Sequence, residues 1–390
     1  MDKPSKVNTE IRVLLIDDQV IVYEALKDIL TETSIKVFFC QDPQNALQQA
    51  YKVKPTVILL DLIMPNVDGL VLLKYIKSDS LLREIPLIVL SSKEEGSTKA
   101  KAFEWGANDY LVKLPQGHEM IARLKYHSRS YIYLLERNEA YKRLVETQNK
   151  LDEELSEASS YVYSLLPDKI KTPNIEIDWR FIPSKTLGGD IFNYQWIDDQ
   201  NFVFYLVDVC GHGIGSALLS VSVLNYLQSL SLQTLKDPVL VMDKLNRQFP
   251  MEKHDDMFFT IWYGLWNRAT RILCYANAGH PPPITIGSLK GTMFMKTLRA
   301  KGMVIGAMEE AKYNMEQVHI PNSTTLFVFS DGVFEIDLET RFWTYGELSQ
   351  YLLDNMRGSD FSLAKLLKDI KKMMNKDFFD DDFSILQLLL

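Results

Sequence analysis

The sequence has few cysteines and no concentrated positive charge. Its 390 residues include only three cysteines, Cys40, Cys210 and Cys274, and no two of them form a CxxC pair. Neither a disulfide framework nor a thiolate zinc site is therefore expected. The net charge is −8, and no basic block is longer than a few residues. Because clustered Lys and Arg side chains are needed to bind nucleic-acid phosphates, we expect no nucleic-acid partner.

Long apolar runs are also missing. No segment approaches the roughly 18 uninterrupted apolar residues that span a membrane, and the first residues, MDKPSKVNTE, lack the apolar core of a signal peptide. We expect a soluble, cytoplasmic protein without a membrane partner. With 46% hydrophobic and 24% charged residues, the composition is that of an ordinary globular protein, and the length predicts two or three domains.

The first region, residues 10–128, alternates short apolar runs with amphipathic stretches such as Ile21–Glu32 and Gly69–Ser78. Such alternation predicts an α/β domain in which a five-stranded parallel sheet is doubly wound, with helices on both faces. The predicted strands are Ile11–Asp17, Val37–Cys40, Val57–Asp61, Leu87–Ser91 and Tyr110–Lys113.

Polar side chains stand at the carboxyl ends of four of these strands, where parallel sheets place their sites. They are Asp17 with Asp18, Asp61, Ser91 and Lys113. Three converging carboxylates would repel one another unless a hard divalent cation lay among them. The hydroxyl and the ammonium group complete a pocket of the size of a phosphate.

The whole region resembles a two-component receiver domain, through "LLIDDQ", "ILLDLIMPNVDG", "LIVLSS" and "ANDYLVK". The resemblance implies that Asp61 accepts a phosphoryl group as an acyl phosphate, from a histidine kinase or a phosphotransfer protein. It also implies a Mg²⁺ ion held by Asp17, Asp18 and Asp61, with the carbonyl of Ile63 as a further ligand.

The same resemblance implies roles for three more residues. Ser91 and Lys113 would contact the phosphoryl oxygens, and Tyr110 would be the aromatic residue that moves inward on activation. Receivers commonly have proline directly after the lysine, whereas this chain reads Lys113-Leu114-Pro115. Because a non-proline cis peptide costs roughly 2.5–4 kcal/mol, this departure argues against the usual cis bond after Lys113.

The second region, residues 129–166, contains neither glycine nor proline. It predicts a long helix with a coiled-coil seam that forms a parallel homodimer, in which Gln148 helps to set the register and Pro167 ends the helix. The alternative is an amphipathic helix packed on its own domain. On a seven-residue frame one seam reads Leu134, Tyr141, Gln148, Leu155 and Val162, and the other reads Arg137, Leu144, Leu151, Ala158 and Leu165.

The third region, residues 167–390, contains the stretch "PSKTLGGDIFNYQW", Pro183–Trp196. Gly188-Gly189-Asp190 is close to the GGDEF signature of diguanylate cyclases. A cyclase needs an acidic residue where this chain has Ile191, because that position helps to hold the metal and to supply the base. The cyclase interpretation is therefore disfavoured, and a metal site for other chemistry is the better hypothesis.

Acidic residues recur at the edges of predicted strands throughout this third region. Since buried carboxylates without counter-charge are costly, divalent metal between them is the simplest physical solution. Two hard cations roughly 3.5–4 Å apart would activate water and hold a phosphoryl group. Asp190 follows Ile175–Pro183, Asp208 follows Phe202–Val207, Asp331 follows Leu326–Ser330, and Asp381 with Asp382 precedes Phe383–Leu389.

Three further residues near these acids are interpreted as structural. His212 and His280 lie in glycine-rich turns, and oxygen-rich Mn²⁺ or Mg²⁺ sites need no imidazole ligand. Cys210 is interpreted as a small buried thiol rather than a nucleophile.

From about Leu165 onward the chain resembles a PPM-type protein phosphatase of the SpoIIE/RsbU-like branch. The motifs that carry the resemblance are "SLLPDKI", "PSKTLGGDIFNY", "DVCGHGIGSALL", "NAGHPPP", "SDGVFE" and "DDFSILQL". The resemblance implies an α+β fold, a β-sandwich flanked by helices, and a two-metal centre with Mn²⁺ or Mg²⁺. Asp190, Asp208, Asp331 and Asp381 would be the catalytic metal ligands, with the backbone at Gly211 and the carboxylate of Asp382 as further candidates.

The activity implied is the hydrolysis of protein phosphoserine or phosphothreonine by metal-activated water. Relatives of this branch act on phosphorylated anti-sigma-factor antagonists of the STAS type, so such a protein is the expected partner. Asn193 departs from the pattern, because many relatives carry a second aspartate there. The alternative is a catalytically silent adaptor that binds a sigma factor or a STAS protein.

Overall fold

The structure, a computed structural model, describes residues 9–91, 96–113, 116–172, 174–289, 291–338, 341–357 and 361–390. Leu114 and Pro115, where the sequence departs from other receivers, lie outside the described residues. The chain divides into two compact units, Met1–Asn149 and Lys150–Leu390, and the boundary falls inside one long helix. Among the described helices, none combines the length and the hydropathy that a membrane crossing requires.

The first unit alternates strands and helices, as the sequence predicts. All five predicted strands are confirmed, and their ends differ from the prediction by at most one residue. In chain order the elements are β1 (Arg12–Ile16), α1 (Val20–Leu30), β2 (Lys36–Cys40), α2 (Ala46–Val53), β3 (Val57–Asp61), β4 (Ile63–Met64), β5 (Val67–Asp68), α3 (Gly69–Ser78), β6 (Leu87–Ser91), α4 (Gly96–Glu104), β7 (Asp109–Val112) and the start of α5 (Gly117–Ser164).

The main sheet of this unit is parallel, with the strand order β2-β1-β3-β6-β7. Because successive side chains of a strand point to opposite faces, β1 contributes to two separate cores. Leu14 and Ile16 pack with residues of α2, α3 and α4, whereas Val13 and Leu15 pack with residues of α1 and the start of α5. Helices therefore cover both faces, and the predicted doubly wound α/β fold is confirmed.

Helix α5 is 48 residues long and runs without a break from the receiver segment through the predicted linker. The linker is therefore a continuation of the last receiver helix rather than a separate element that starts near Arg129. Met120 and Leu124 are buried in the first unit, and residues 140–154 are all exposed. The helix ends at Ser164, shortly before Pro167.

The second unit is built mainly from antiparallel strands. In chain order its elements are β8 (Ile170–Lys171), β9 (Glu176–Ile182), β10 (Ile191–Trp196), β11 (Asn201–Val209), α6 (Ile214–Ser229), α7 (Leu232–Leu235), α8 (Pro238–Gln248), β12 (Phe259–Asn267), β13 (Ile272–Ala278), β14 (Ile284–Leu289), β15 (Thr292–Thr297), β16 (Glu316–His319), β17 (Thr325–Phe329), β18 (Ile336–Asp337), β19 (Phe342–Trp343), α9 (Tyr345–Met356), α10 (Leu363–Met374) and β20 (Phe383–Leu389).

Two large sheets form the predicted β-sandwich. One has the order β10-β11-β12-β13-β16, and the other has the order β15-β14-β17-β20-β9-β8. A single hydrophobic cluster contains side chains from both sheets, together with residues of α6 and α8. The opposite side chains of the second sheet, such as Phe327 and Phe329 of β17, form another cluster with residues of α9 and α10. Because successive side chains of each strand point to opposite faces, the second sheet packs on the first sheet with one face and on α9 and α10 with the other.

Candidate active site and phosphoacceptor site

The predicted phosphoacceptor site lies at the carboxyl ends of the parallel strands of the first unit. Asp17 follows β1, Asp61 ends β3, Ser91 ends β6 and Lys113 follows β7. Asp17, Asp18 and Asp61 each offer an oxygen within 4.8 Å of the others. The parallel register brings these side chains together although their positions in the sequence are far apart.

Lys113 supplies the positive charge next to this acidic cluster. Its ammonium group donates a hydrogen bond to Asp61 Oδ2 at 2.8 Å and forms an ion pair with Asp17 Oδ2 at 3.1 Å. Burial acts to lower the pKa of Lys113, but the hydrogen bonds and charges of Asp61 and Asp17 outweigh it and leave the pKa raised. Burial also raises the pKa of Asp17, against the opposing effects of the Gln19 backbone and Lys113.

The donor set of this cluster fits a hard divalent cation. Asp18 Oδ1 is buried and has no hydrogen-bond partner among the described residues. Two of the three carboxylates are almost fully buried, with exposed fractions of 0% for Asp17 and 1% for Asp61. One lysine does not balance three carboxylates, and oxygen ligands in this number are what Mg²⁺ prefers.

A cavity of about 540 Å³ borders the phosphoacceptor site and is lined by Ile63, Ser91 and Tyr110. Ser91 and Tyr110 are both buried, whereas the side chain of Ile63 is exposed. Gly69 lies against the backbone of Asp61 so closely that a Cβ atom there would collide with its carbonyl oxygen. This contact explains why position 69, close to the end of β3, is a glycine.

In the second unit, the Gly188-Gly189-Asp190 turn is held by a single carboxylate. Asp382 Oδ1 accepts hydrogen bonds from Ser184 N at 2.8 Å and from Ser184 Oγ at 3.0 Å. Its Oδ2 accepts from Gly189 N at 2.5 Å and from Asp190 N at 3.3 Å. Asp382 thus shapes the turn that carries Asp190, and its assignment as a metal ligand stays a prediction.

Close packing around the turn requires both of its glycines. A Cβ atom on Gly188 would collide with the carboxylate of Asp382, and one on Gly189 would lie 2.7 Å from the carbonyl oxygen of Val209. The two glycines let the turn approach the carboxylate on one side and β11 on the other. The triplet is therefore a packing motif as well as the carrier of an acidic residue.

The other acids reach the same site from three separate elements. Asp208 lies within β11, opposite Thr260 of β12, so the strand continues beyond its predicted end at Val207. Asp331 begins a short 3₁₀ turn directly after β17, and Asp381 lies just before β20. A cavity of about 220 Å³ is lined by Asp208, Asp331 and Asp381 together with Cys210 and Gly211.

All four predicted catalytic acids have raised pKa values, and neighbouring carboxylates contribute to each increase. Burial, followed by the charges of Asp208 and Asp382, raises the pKa of Asp190 well above its usual range. Burial, followed by the charges of Asp331, Asp381 and Asp382, raises the pKa of Asp208 to about 8. Each acid therefore makes ionisation of its neighbours less favourable.

The remaining two acids are affected in the same direction. Burial, followed by the charges of Asp381 and Glu335, raises the pKa of Asp331 to about 6. Burial and the charge of Asp382 raise the pKa of Asp381, against a hydrogen bond from the Asp382 backbone. Burial and the neighbouring negative charges therefore act against ionisation at all four predicted catalytic acids.

This acidic cluster also fits divalent cations. Asp190 Oδ2 is buried without a hydrogen-bond partner among the described residues. No three acidic side chains described in the second unit bring their oxygens within 4.8 Å of one another, as those of the receiver do. The carboxylates of the second unit are therefore spread more widely than those of the first unit.

The histidines and Cys210 occupy supporting positions. His280 is buried, and its Nδ1 lies 2.7 Å from Thr260 Oγ1; burial lowers the pKa of His280 to about 3. His212 is exposed, with Nε2 3.3 Å from Lys185 Nζ. Cys210 is only half-buried, and its Sγ accepts a hydrogen bond from Phe258 N at 3.2 Å. These contacts suit the structural roles expected for the histidines, although Cys210 is less buried than expected.

The sequence analysis did not identify several residues around the acids. Asp380 lines the smaller cavity, and Glu335 and Arg299 line an adjoining cavity of about 470 Å³ with Asp208 and Asp331. Asp380 could have been found as the first residue of the Asp380-Asp381-Asp382 run. Arg299 follows β15 and belongs to none of the motifs, so no local signal points to it.

Comparisons with known proteins assign both units. The family described as "Response regulator receiver domain" matches residues 13–125, and the family described as "Stage II sporulation protein E (SpoIIE)" matches residues 198–389. The fold of the second unit is similar to the SiaA-PP2C domain of Pseudomonas aeruginosa, with a TM-score of 0.51, 18% identity, and coverage of 63% of this chain and 98% of that domain.

Three curated relatives match parts of this chain. Phosphoserine phosphatase RsbU of Bacillus subtilis is 26% identical over 242 residues, which are 62% of this chain and 71% of RsbU. Phosphoserine phosphatase RsbP of the same organism is 30% identical over 47% of this chain and 45% of RsbP. Phosphate regulon transcriptional regulatory protein PhoB of Escherichia coli is 29% identical over 29% of this chain and 50% of PhoB. This chain therefore spans about half the length of RsbP and of PhoB.

The chain belongs to the response regulators that join an N-terminal receiver domain to a SpoIIE-type protein serine/threonine phosphatase domain of the PP2C class.

Proposed function

We propose that this chain hydrolyses phosphoserine or phosphothreonine on a protein substrate and that phosphorylation of Asp61 controls the reaction. The observation that carries the proposal is the convergence of Asp190, Asp208, Asp331 and Asp381 from four separate chain segments. The names of RsbU and RsbP as phosphoserine phosphatases support the choice of substrate residue.

Two ions, Mn²⁺ or Mg²⁺, would be held by the four aspartates, with the Gly211 backbone and Asp382 as further candidate ligands. When bound, such ions supply Lewis-acid activation of water and stabilise charge on a phosphoryl group. The chain itself contributes fixed carboxylates, because Asp382 and the two glycines of the turn hold Asp190 in place. No Ser, Cys or His nucleophile is needed for this chemistry.

In the receiver, Asp17, Asp18 and Asp61 would hold Mg²⁺ together with the carbonyl of Ile63. Ser91 and Lys113 would bind the phosphoryl oxygens on Asp61, and Tyr110 would respond by a change of position. The hydrogen bond from Lys113 to Asp61 supports this assignment, because the ammonium group lies next to the proposed phosphoacceptor carboxylate. The donor would be a histidine kinase or a phosphotransfer protein.

We propose a phosphorylated STAS-type anti-sigma-factor antagonist as the protein substrate, which is the class that the resemblance to the SpoIIE/RsbU-like branch implies. The direct experiment measures Mn²⁺-dependent phosphate release from candidate phospho-STAS proteins by the full chain. If no phosphate is released and no Mn²⁺ is bound, the catalytically silent adaptor becomes the better interpretation.

Treatment with beryllium fluoride, which mimics the acyl phosphate, is expected to change the phosphatase rate of the full chain several-fold. Ligands that bind one of two conformations shift the population between them, and Asp61 is the site at which the mimic binds. The rate is measured with and without the mimic for the native chain and for Asp61→Asn. An equal rate in both conditions, with unchanged oligomer size, would reject control by the receiver. A change of rate that persists in Asp61→Asn would show that beryllium fluoride acts at a site other than Asp61.

The exposed middle of α5 is expected to form the homodimer. Tyr141, Leu144 and Leu151 of the predicted seams are exposed there, with exposed fractions of 67%, 65% and 48%. At the end of the seam, Val162 is instead buried against Leu187 and Ala217 of the second unit. Burying the exposed apolar side chains against a second copy would remove them from water.

The double variant Leu144→Glu/Leu151→Glu is therefore expected to be monomeric under conditions in which the native chain is a dimer. Light scattering coupled to size-exclusion chromatography measures the mass, and Lys150→Glu is the control, because Lys150 is exposed and outside both seams. A native chain that is monomeric at tens of micromolar, or a double variant that stays dimeric, contradicts the proposal.

The metal-free protein is expected to become less stable as pH rises from 6 to 8. The folded-state pKa values of Asp331 and Asp208 are raised to about 6 and about 8, so the folded chain retains protons that the unfolded chain has already lost. Stability then falls as pH increases through this interval. A bound cation replaces those protons, so Mn²⁺ should stabilise more at pH 8 than at pH 6.

Thermal unfolding in EDTA and in Mn²⁺ at the two pH values tests this expectation. The metal-free Tm should fall by a few degrees between pH 6 and pH 8, and Asp208→Asn should show a smaller fall. A metal-free Tm that rises over this interval would contradict the electrostatic interpretation of the site.

A further inference from the structure

Two cavities meet beside the acidic cluster. The cavity of about 470 Å³ contains Asp208 and Asp331 in its lining, and a neighbouring cavity of about 630 Å³ contains Lys301. Both are lined by His280 and by Arg299. Arg299 therefore lies at the junction of the two cavities, one of which also contains the predicted metal ligands Asp208 and Asp331.

Among the described residues that line the cavity of about 470 Å³, Arg299 is the only arginine or lysine. Within the described part of the chain, no carboxylate lies within ion-pair distance of its guanidinium group. Its side chain is exposed. The guanidinium group is thus available to a ligand that enters the cavity.

The backbone that carries Arg299 is anchored to the cavity wall. The preceding residue, Leu298, is fully buried and donates its N–H to the carbonyl of Pro283 at 2.8 Å. The carbonyl of Arg299 itself accepts a hydrogen bond from the Tyr275 hydroxyl at 3.4 Å. These contacts fix the backbone from which the Arg299 side chain extends into the lining of both cavities.

We infer that Arg299 binds the phosphoryl group of the substrate at the mouth of the acidic site. The inference rests on the proposed phosphatase function and adds a residue that contacts substrate. A phosphate dianion that approaches several carboxylates needs positive charge beyond what the metal ions supply. A guanidinium group donates two parallel hydrogen bonds to phosphate oxygens in a geometry that a lysine cannot reproduce.

Arg299→Gln is expected to raise the KM for p-nitrophenyl phosphate and the inhibition constant of inorganic phosphate by about tenfold, which is the contribution of a charge-assisted hydrogen bond. The kcat should change less than the KM, because the metal ligands are intact. Arg299→Lys should restore part of the phosphate affinity. Lys301→Gln is the matched control, since Lys301 lies in the same segment but does not line the cavity that contains Asp208 and Asp331.

A second readout does not require turnover. Inorganic phosphate should raise the Tm of the Mn²⁺-loaded native chain, and this stabilisation should be weaker in Arg299→Gln than in Lys301→Gln. Calorimetric titration of Mn²⁺ should give the same affinity for all these variants.

The outcomes separate the inference from the function on which it rests. If the native chain releases no phosphate from any substrate, the proposed function fails, and the phosphate-dependent Tm still decides whether Arg299 binds phosphate. If the KM, the inhibition constant and the phosphate-dependent Tm are all unchanged in Arg299→Gln, the inference is overturned. An equal loss in Lys301→Gln would also overturn it, because the effect would then reflect general surface charge.

Discussion

Replacing Asp331 by asparagine is expected to reduce Mn²⁺-dependent phosphate release by at least about 1000-fold, because metal-based charge stabilisation contributes several kcal/mol to such reactions. The amide keeps the size of the side chain but removes the negative charge that the site uses to hold a cation. Asp331 lies two residues after the end of β17 and lines both cavities that contain Asp208. Asp190→Ala should have an effect of similar size.

The measurement is the release of phosphate from a phosphoserine protein and from p-nitrophenyl phosphate at saturating Mn²⁺. Asp199→Asn is the matched control, because Asp199 is an exposed carboxylate of the same unit that lines neither cavity. Calorimetric titration should show weaker Mn²⁺ binding in Asp331→Asn and unchanged binding in the control. Full activity in both Asp331→Asn and Asp190→Ala would end the assignment of a metal-dependent phosphatase.

Asp382→Ala is expected to lower the free energy of unfolding by about 2–4 kcal/mol and to abolish most phosphatase activity. The substitution leaves the backbone N–H groups of Ser184, Gly189 and Asp190 without their acceptor. Loss of one negative charge relieves some repulsion on Asp190 and Asp208, which offsets only part of this cost. The turn that carries Asp190 would then lose its fixed position.

Urea unfolding in EDTA measures the stability, and Mn²⁺ titration measures the effect on the metal site. Asp377→Ala is the control, since Asp377 is exposed and close in sequence. If Asp382→Ala were as stable as the control and lost only Mn²⁺ affinity, Asp382 would act as a metal ligand rather than as the acceptor that holds the turn.

The fold of the first unit could be predicted from the sequence because its signals are local. Each strand is a short apolar run bounded by polar residues, and the register of a parallel sheet then places the strand ends together. Asp17, Asp61 and Lys113 were for this reason recognisable as one site before any contact was known. The continuity of α5 could not be predicted in this way. The start of the helix is buried in the first unit and its middle is exposed, so the two parts have different residue patterns although they form one helix.

In the second unit, the acids were recognisable because each stands at the edge of a predicted strand. Their sequence positions do not show what each side chain does there. Asp381 and Asp382 are neighbours, yet Asp381 lines the cavity and Asp382 is buried against the Gly188-Gly189 turn. Side chains alternate along an extended chain, and only the tertiary structure shows which face meets the metal site.

By itself, the sequence determined the order of the two domains, the five strands of the first unit and the acidic residues at the edges of four strands of the second, since each depends on residue types within a short segment. The tertiary structure alone decided that one carboxylate holds the turn of Asp190 and that Arg299 lines a cavity together with Asp208 and Asp331. Those relations join residues distant in the chain, and such contacts follow from how two sheets pack rather than from any local pattern.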